Sequence, residues 1–156
     1  MFPRASLEPA MSDFQIEYLT DELKQLVGWG ASPKRLPLLP TLRAISEVGE
    51  VPSLVIAGYL IRNRLIAVIA GLDGSYAYDG RIVEARAVKR ALRVLLALER
   101  SRELAENRRY EAMRVLGTHC SIETWRRPHG PERDILHLLA EALDRASYQT
   151  SEAVPA

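Results

Sequence analysis

The chain has 156 residues, of which 47% are hydrophobic and 26% charged, with a formal net charge of +1. This composition is ordinary for one globular domain and excludes a wholly disordered chain. Cys120 is the only cysteine, which excludes an intrachain disulfide and a multi-cysteine metal site and fits a cytoplasmic location.

The first half of the sequence begins with a segment that has no helical periodicity. We interpret residues 1–12 as a flexible tail without the features of a secretory signal, and Met11 is an alternative start. A helix is predicted from Asp13 to Val27, where apolar residues recur at helical spacing. A second helix is predicted from Thr41 to Val48, where it stops at a glycine.

The segment from Ser53 to Leu72 is the most apolar part of the chain and has the length of a membrane-spanning helix. Its midpoint, however, is Arg62-Asn63-Arg64, and each central arginine costs about 2.5–3.5 kcal/mol in a bilayer. We therefore expect no membrane span, but a buried central helix with its Arg-Asn-Arg face in water. Pro52 favours a helix start, although a β-hairpin remains an alternative because periodicity does not separate buried strands from buried helices.

The second half of the sequence is read as helices separated by turns. The composition of Asp73 to Gly80 predicts a turn. A long helical pattern follows from Arg81 to about Leu116, with a break near Asn107. Pro131 opens a last helix with one apolar stripe, and the residues after Tyr148 are polar.

These elements together predict an all-α fold class. Aromatic residues make up only 6% of the chain, so the core must consist mainly of aliphatic side chains, a composition that favours helices. We predict a compact bundle of five to six helices forming one domain over residues 13–148, between disordered tails at residues 1–12 and 149–156.

Charge is concentrated in the middle of the chain. Residues 81–133 carry 13 basic and 7 acidic side chains, whereas residues 1–80 carry 7 basic and 9 acidic ones. Most of the basic residues are arginines, a bias typical of a bacterial genome of high GC content. Four of them share one helical face and could neutralise phosphates of DNA: Arg86, Arg90, Arg93 and Arg100. The alternatives are a solvated helix side, or ion pairs, within the chain or across a dimer, with acidic residues of the first helix, namely Asp13, Glu17, Asp21 and Glu22.

Residues 111–130 contain a helix, a Leu-Gly stop and then S-x-x-T-W-R-R. This segment resembles the helix-turn-helix of phage-repressor-type regulators. The resemblance implies a DNA-binding transcriptional regulator whose groove-facing residues are Ser121, Glu123, Thr124, Arg126 and Arg127. The alternative is a core Trp125 on a short helix, buried against the last helix with the two arginines turned outward.

A third pattern is Arg114-x-x-x-x-His119. It resembles the R-x4–6-H motif of helical ribonucleases of the HEPN class. That resemblance implies general acid–base chemistry on a scissile phosphate, with Arg114 and His119 as the reacting pair.

The prediction we favour is a non-enzymatic helical regulatory or interaction protein that forms homo-oligomers in the cytoplasm. The apolar helix of residues 53–72 and the leucine-rich stretch of residues 88–98 offer more hydrophobic surface than a small monomer easily hides. We expect no cofactor and no metal, because the histidines and Cys120 have no recognised ligand spacing. Predicted partners are a second copy of the chain, an unidentified protein or, in the alternative, DNA. The predicted self-association residues are Val55, Tyr59, Leu60, Leu65, Ile69 and Leu95.

Overall fold

The computed structural model describes residues 2–99 and 103–153, with side chains over 13–99 and 103–147. The predicted all-α fold class is confirmed, with one added hairpin. The elements, in chain order, are α1 (Phe2–Trp29), a 3-10 helix (Leu36–Leu38), α2 (Pro40–Ile45), α3 (Leu54–Ala70), β1 (Ser75–Tyr78), β2 (Arg81–Glu84), α4 (Ala85–Leu95), α5 (Ala105–Leu116), α6 (Ile122–Arg126) and α7 (Pro131–Ala153).

The long helices α1 and α7 pack against each other. Leu19, Leu23 and Leu26 of α1 are fully buried, as are Leu136 and Leu139 of α7. These positions repeat at three and four residues, so one face of each helix enters the common core.

Both long helices extend beyond the bounds that periodicity predicts, since α1 begins at Phe2 and α7 continues to Ala153. Flexible tails are predicted at residues 1–12 and 149–156, and the side chains of these residues lie outside the described part of the chain. Their flexibility stays a prediction.

The segment predicted as a central helix is indeed helix α3, and the hairpin alternative is wrong. Ser53 caps it, because its Oγ accepts a hydrogen bond from the Ile56 backbone N–H at 3.2 Å. Gly58 lets α3 approach the loop after α1, since a Cβ there would lie only 1.8 Å from the Pro33 carbonyl oxygen. Among the described helices, none has the length and apolarity to cross a bilayer.

The prediction of a simple turn followed by one long helix is wrong between residues 73 and 104. β1 and β2 form an antiparallel hairpin in which Tyr76 is the register partner of Val83. Asp79 and Gly80 make its turn with φ angles of 49° and 72°, the left-handed pair that a tight hairpin requires. The helical pattern therefore starts only at α4, and α4 is separated from α5 well before the break expected near Asn107.

Helix α2 is shorter than the predicted Thr41–Val48, and its N-terminus is capped by a side chain of α1. The carboxylate of Glu22 accepts hydrogen bonds from the Thr41 N–H at 3.0 Å and the Leu42 N–H at 2.8 Å. A carboxylate at a helix N-terminus satisfies donors that have no partner within the helix. Glu22 thereby fixes α2 against α1.

Candidate interaction surface

An exposed apolar face lies on the first half of α3 and is called here the α3 face. Its five large side chains are each between 44% and 55% exposed. No charged residue occurs between positions 54 and 61. The members of the α3 face are Leu54, Val55, Ile56, Tyr59 and Leu60.

The opposite side of α3 explains why this face stays outside. Ala57, Ile61 and Leu65 repeat every four residues and are fully buried, so the helix has already supplied its inner stripe. The segment is apolar all round, and its remaining apolar side chains therefore point to solvent.

The two arginines of α3 do not cover this face, and the expectation of an Arg-Asn-Arg face in water is only partly right. Arg62 donates a hydrogen bond to the Leu98 carbonyl, and Arg64 donates one to the Ala146 carbonyl at 3.2 Å. Both side chains are half-buried, and only Asn63 between them is exposed. Both charged groups of α3 therefore bind backbone carbonyls of other segments and do not cover the α3 face.

The structure divides the predicted self-association residues into two groups. Val55, Tyr59 and Leu60 belong to the exposed α3 face. The assignment of Leu65, Ile69 and Leu95 to an intermolecular surface is wrong. These three side chains are at most 1% exposed and form part of the chain's own core, because helical periodicity turns them inward.

A second apolar surface, which the sequence analysis did not identify, lies between α1 and α2. Phe14 and Tyr18 are exposed there and line a cavity of about 450 Å³ with Pro40 and Ala44. Their spacing of four along α1 is the signal in the sequence, but it is indistinguishable from that of core residues. Exposed acidic side chains flank them at positions 13 and 17, so this surface is not free of charge.

The predicted basic row on α4 is partly neutralised by neighbouring acids. Arg90 lies 3.9 Å from a carboxylate oxygen of Glu111, and Arg93 lies 3.4 Å from one of Glu99. Arg86 is exposed, and Arg100 lies outside the described residues. A hydrogen bond from Arg114 lowers the pKa of the Glu111 carboxyl.

Within the chain, the described residues of this row do not pair with acids of the first helix, and pairing across a dimer stays a prediction. Glu17 and Asp21 are bound by Arg133, at 2.7 Å in the case of Asp21. Arg133 lies in the first turns of α7, the helix that packs on α1, and is therefore closer to these acids than α4 is.

The helix-turn-helix-like segment has a short second helix. α5 ends at a left-handed Gly117 with a φ of 67°, and α6 has five residues. The Ser121 hydroxyl accepts from the Thr124 N–H at 3.2 Å and therefore caps α6, and it lies 3.0 Å from the Thr124 hydroxyl. Arg126 and Arg127 are exposed, and their contact with DNA stays a prediction.

Trp125 is fully buried against α7, as predicted. Its indole N–H donates to a carboxylate oxygen of Glu132 at 2.7 Å. Arg109 donates to the same oxygen at 2.7 Å, and the ammonium of Lys24 lies 3.5 Å from the other oxygen. This set, the Glu132 network, joins α1, α5, α6 and α7 through one carboxylate that is itself 0% exposed.

Arg108 is the second buried arginine of α5. It donates to the Leu95 carbonyl at 2.6 Å and to the Val27 carbonyl at 2.8 Å, which lie in the last turns of α4 and α1. A cation near helix C-termini satisfies carbonyls that lack intrahelical partners. Burial, and then the neighbouring charge of Arg109, lowers the pKa of Arg108.

The two residues of the ribonuclease-like pattern lie on different elements. Arg114 is on α5, where its Nε donates to the Glu111 carboxylate at 3.0 Å. His119 is exposed in the loop after α5. Among the described residues, no group of three or more histidine, cysteine or acidic side chains is arranged to hold a metal ion.

Comparisons of this chain with protein-family models, curated proteins and solved structures find no match.

Proposed function

We propose that this chain is a helical interaction protein that self-associates through the α3 face. The observation that carries the proposal is a set of five large apolar side chains left about half exposed on one helix. An exposed apolar surface made of several neighbouring side chains is typical of an interaction site.

The absence of charge on the α3 face favours a second copy as the occupant. A charge-free surface offers no complementary potential for a charged partner to select. Two copies related by a two-fold axis present the same patch to each other, and homodimer interfaces are more apolar than transient ones. An unidentified protein partner is the competing occupant of this face.

The exposed positions of α3 also continue along the helix in a geometry suited to pairing. Ile56, Leu60, Asn63 and Ala67 are exposed at spacings of four, three and four residues. This row is long enough for two α3 helices to pack side by side with their axes about 8–10 Å apart. Asn63 would bring one polar side chain to the row and favour a defined register.

DNA binding is the alternative, and the described contacts favour it less. Arg90 and Arg93 each lie near an acid. Ser121 caps a helix of five residues, and its hydroxyl is hydrogen-bonded to that of Thr124. A cytoplasmic location is part of the proposal and is supported by the free thiol of Cys120.

The experiment is a light-scattering concentration series on three proteins. The test variant is Tyr59→Glu, and the matched control is Tyr110→Glu, because Tyr59 is 55% exposed on α3 and Tyr110 is 50% exposed on α5. We expect a mass of twice 17.5 kDa or more for the wild type and Tyr110→Glu at micromolar concentration, and monomer for Tyr59→Glu. A wild-type monomer over the whole series would overturn the proposal, as would equal assembly of both variants.

A further inference from the structure

A cleft separates the second half of α3 from α7. It has a volume of about 650 Å³, which is in the range of small-molecule sites. The α3 side presents Arg64, Val68 and Gly71, and the α7 side presents Ala142 and Arg145. The first set recurs at four and three residues and the second at three, so each lies on one side of its helix.

The cleft exists because the side chains between the two helices are small. Ala67 of α3 and Gly71 at its C-terminal end face Ala142 and Ala146 of α7, and such small residues leave the space between the backbones unfilled. The loop after α3 closes one end, where the Tyr76 hydroxyl accepts a hydrogen bond from the Asp73 N–H at 3.2 Å.

Two guanidinium groups belong to the walls of this cleft. Arg64 is anchored there, since it donates to the Ala146 carbonyl at 3.2 Å. Arg145, the residue before Ala146, is exposed. Guanidinium groups match the geometry of carboxylates and phosphates. At the closed end, Asp73 is an exposed carboxylate, which disfavours an acidic group at that end of the ligand and leaves the head group to the arginines.

We infer that the α3–α7 cleft binds a small organic anion with one acidic head group, held by Arg64 and Arg145, and an apolar body against Val68 and the Tyr76 ring. The head group is a carboxylate or a phosphate monoester. The five residues of the α3 face do not line this cleft, whereas Ala67 belongs both to the cleft and to the exposed row proposed for pairing.

The experiment is a titration of the labelled protein followed by the amide NMR signals of Gly71, Leu72 and residue 145. The probes are benzoate and phenyl phosphate, with benzyl alcohol as the uncharged analogue. We expect saturable shifts with at least one anion and none with benzyl alcohol. The anion that binds tighter identifies the head group. Titrating Tyr59→Glu in parallel separates this result from self-association.

Two variants and one control locate the binding. Arg145→Gln removes an exposed charge and should weaken anion affinity about tenfold or more, because a charge-assisted hydrogen bond is lost. Asp73→Asn should tighten it, and Arg86→Gln on α4 should leave it unchanged. Absence of saturable shifts with both anions would overturn the inference, as would an affinity that Arg145→Gln leaves unchanged.

Discussion

The Glu132 network gives the sharpest stability prediction. Glu132→Leu removes a fully buried carboxylate and leaves Arg109, which is 8% exposed, without its partner at 2.7 Å. It also leaves the buried indole N–H of Trp125 without an acceptor. Removing one partner of a buried ion pair costs about 3–5 kcal/mol, and an unsatisfied buried donor adds about 1–3 kcal/mol.

We therefore expect Glu132→Leu to lower the free energy of unfolding by about 4 kcal/mol or more, against a total of about 5–15 kcal/mol for a native domain. Lys24 adds little, because its side chain is 29% exposed at 3.5 Å from the carboxylate. Glu132→Gln should cost less, since its amide oxygen still accepts from Trp125.

The assay is urea unfolding of Glu132→Leu, Arg109→Met and the double variant, followed by tryptophan fluorescence. The double variant should be clearly less destabilised than the sum of the two single ones, by more than about 1 kcal/mol, because neither charge is then left unpaired. Additive effects would refute the reasoning, since they would show that the two buried side chains do not depend on each other.

Three further predictions concern packing and pH. Gly58→Ala should destabilise the fold by about 1–3 kcal/mol in urea unfolding, because its Cβ would meet the Pro33 carbonyl at 1.8 Å, whereas Gly71→Ala, with its nearest atom at 3.5 Å, should be close to neutral. Trp125→Ala should cost about 3–5 kcal/mol in the same assay, and an unchanged midpoint would contradict its place in the core. Burial raises the pKa of Tyr78, so its contribution to stability is complete below the unfolded-state pKa near 10 and is lost as pH rises above it. Above about pH 10, the free energy of unfolding should therefore fall less steeply with pH in Tyr78→Phe than in the wild type. An identical pH dependence of the two proteins would contradict this.

Sequence reasoning succeeded where one element alone decides the outcome. Pro52 was sufficient to favour a helix over a hairpin for α3, and the two central arginines were sufficient to predict that this helix is not a membrane span. The burial of Trp125 followed from its size and from a nearby apolar stripe. The conclusions on α3 depend on a single segment, and the one on Trp125 depends on two segments that are neighbours in the chain.

The errors arise where a second element decides. Leu65 and Ile69 are as apolar as Leu60, and only the neighbours of α3 determine which side is buried. The hairpin was missed because helical spacing in residues 81–95 outweighed the Asp79-Gly80 pair, which is a known hairpin signal. The Glu132 network was not predicted, because Arg109 and Glu132 are 23 residues apart and such pairing leaves no periodicity.

The proposal that two copies meet through α3 is tested most directly by a distance between the copies. Spin labels are placed at Asn63→Cys or, as control, Glu106→Cys, in a Cys120→Ser background, and intermolecular distances are measured by double electron–electron resonance. Asn63 is exposed on α3 and Glu106 is exposed on α5, a helix beyond α4. The account predicts dipolar coupling with a shorter distance for labels at position 63 than at position 106. No coupling at position 63, or a shorter distance at position 106, would contradict it.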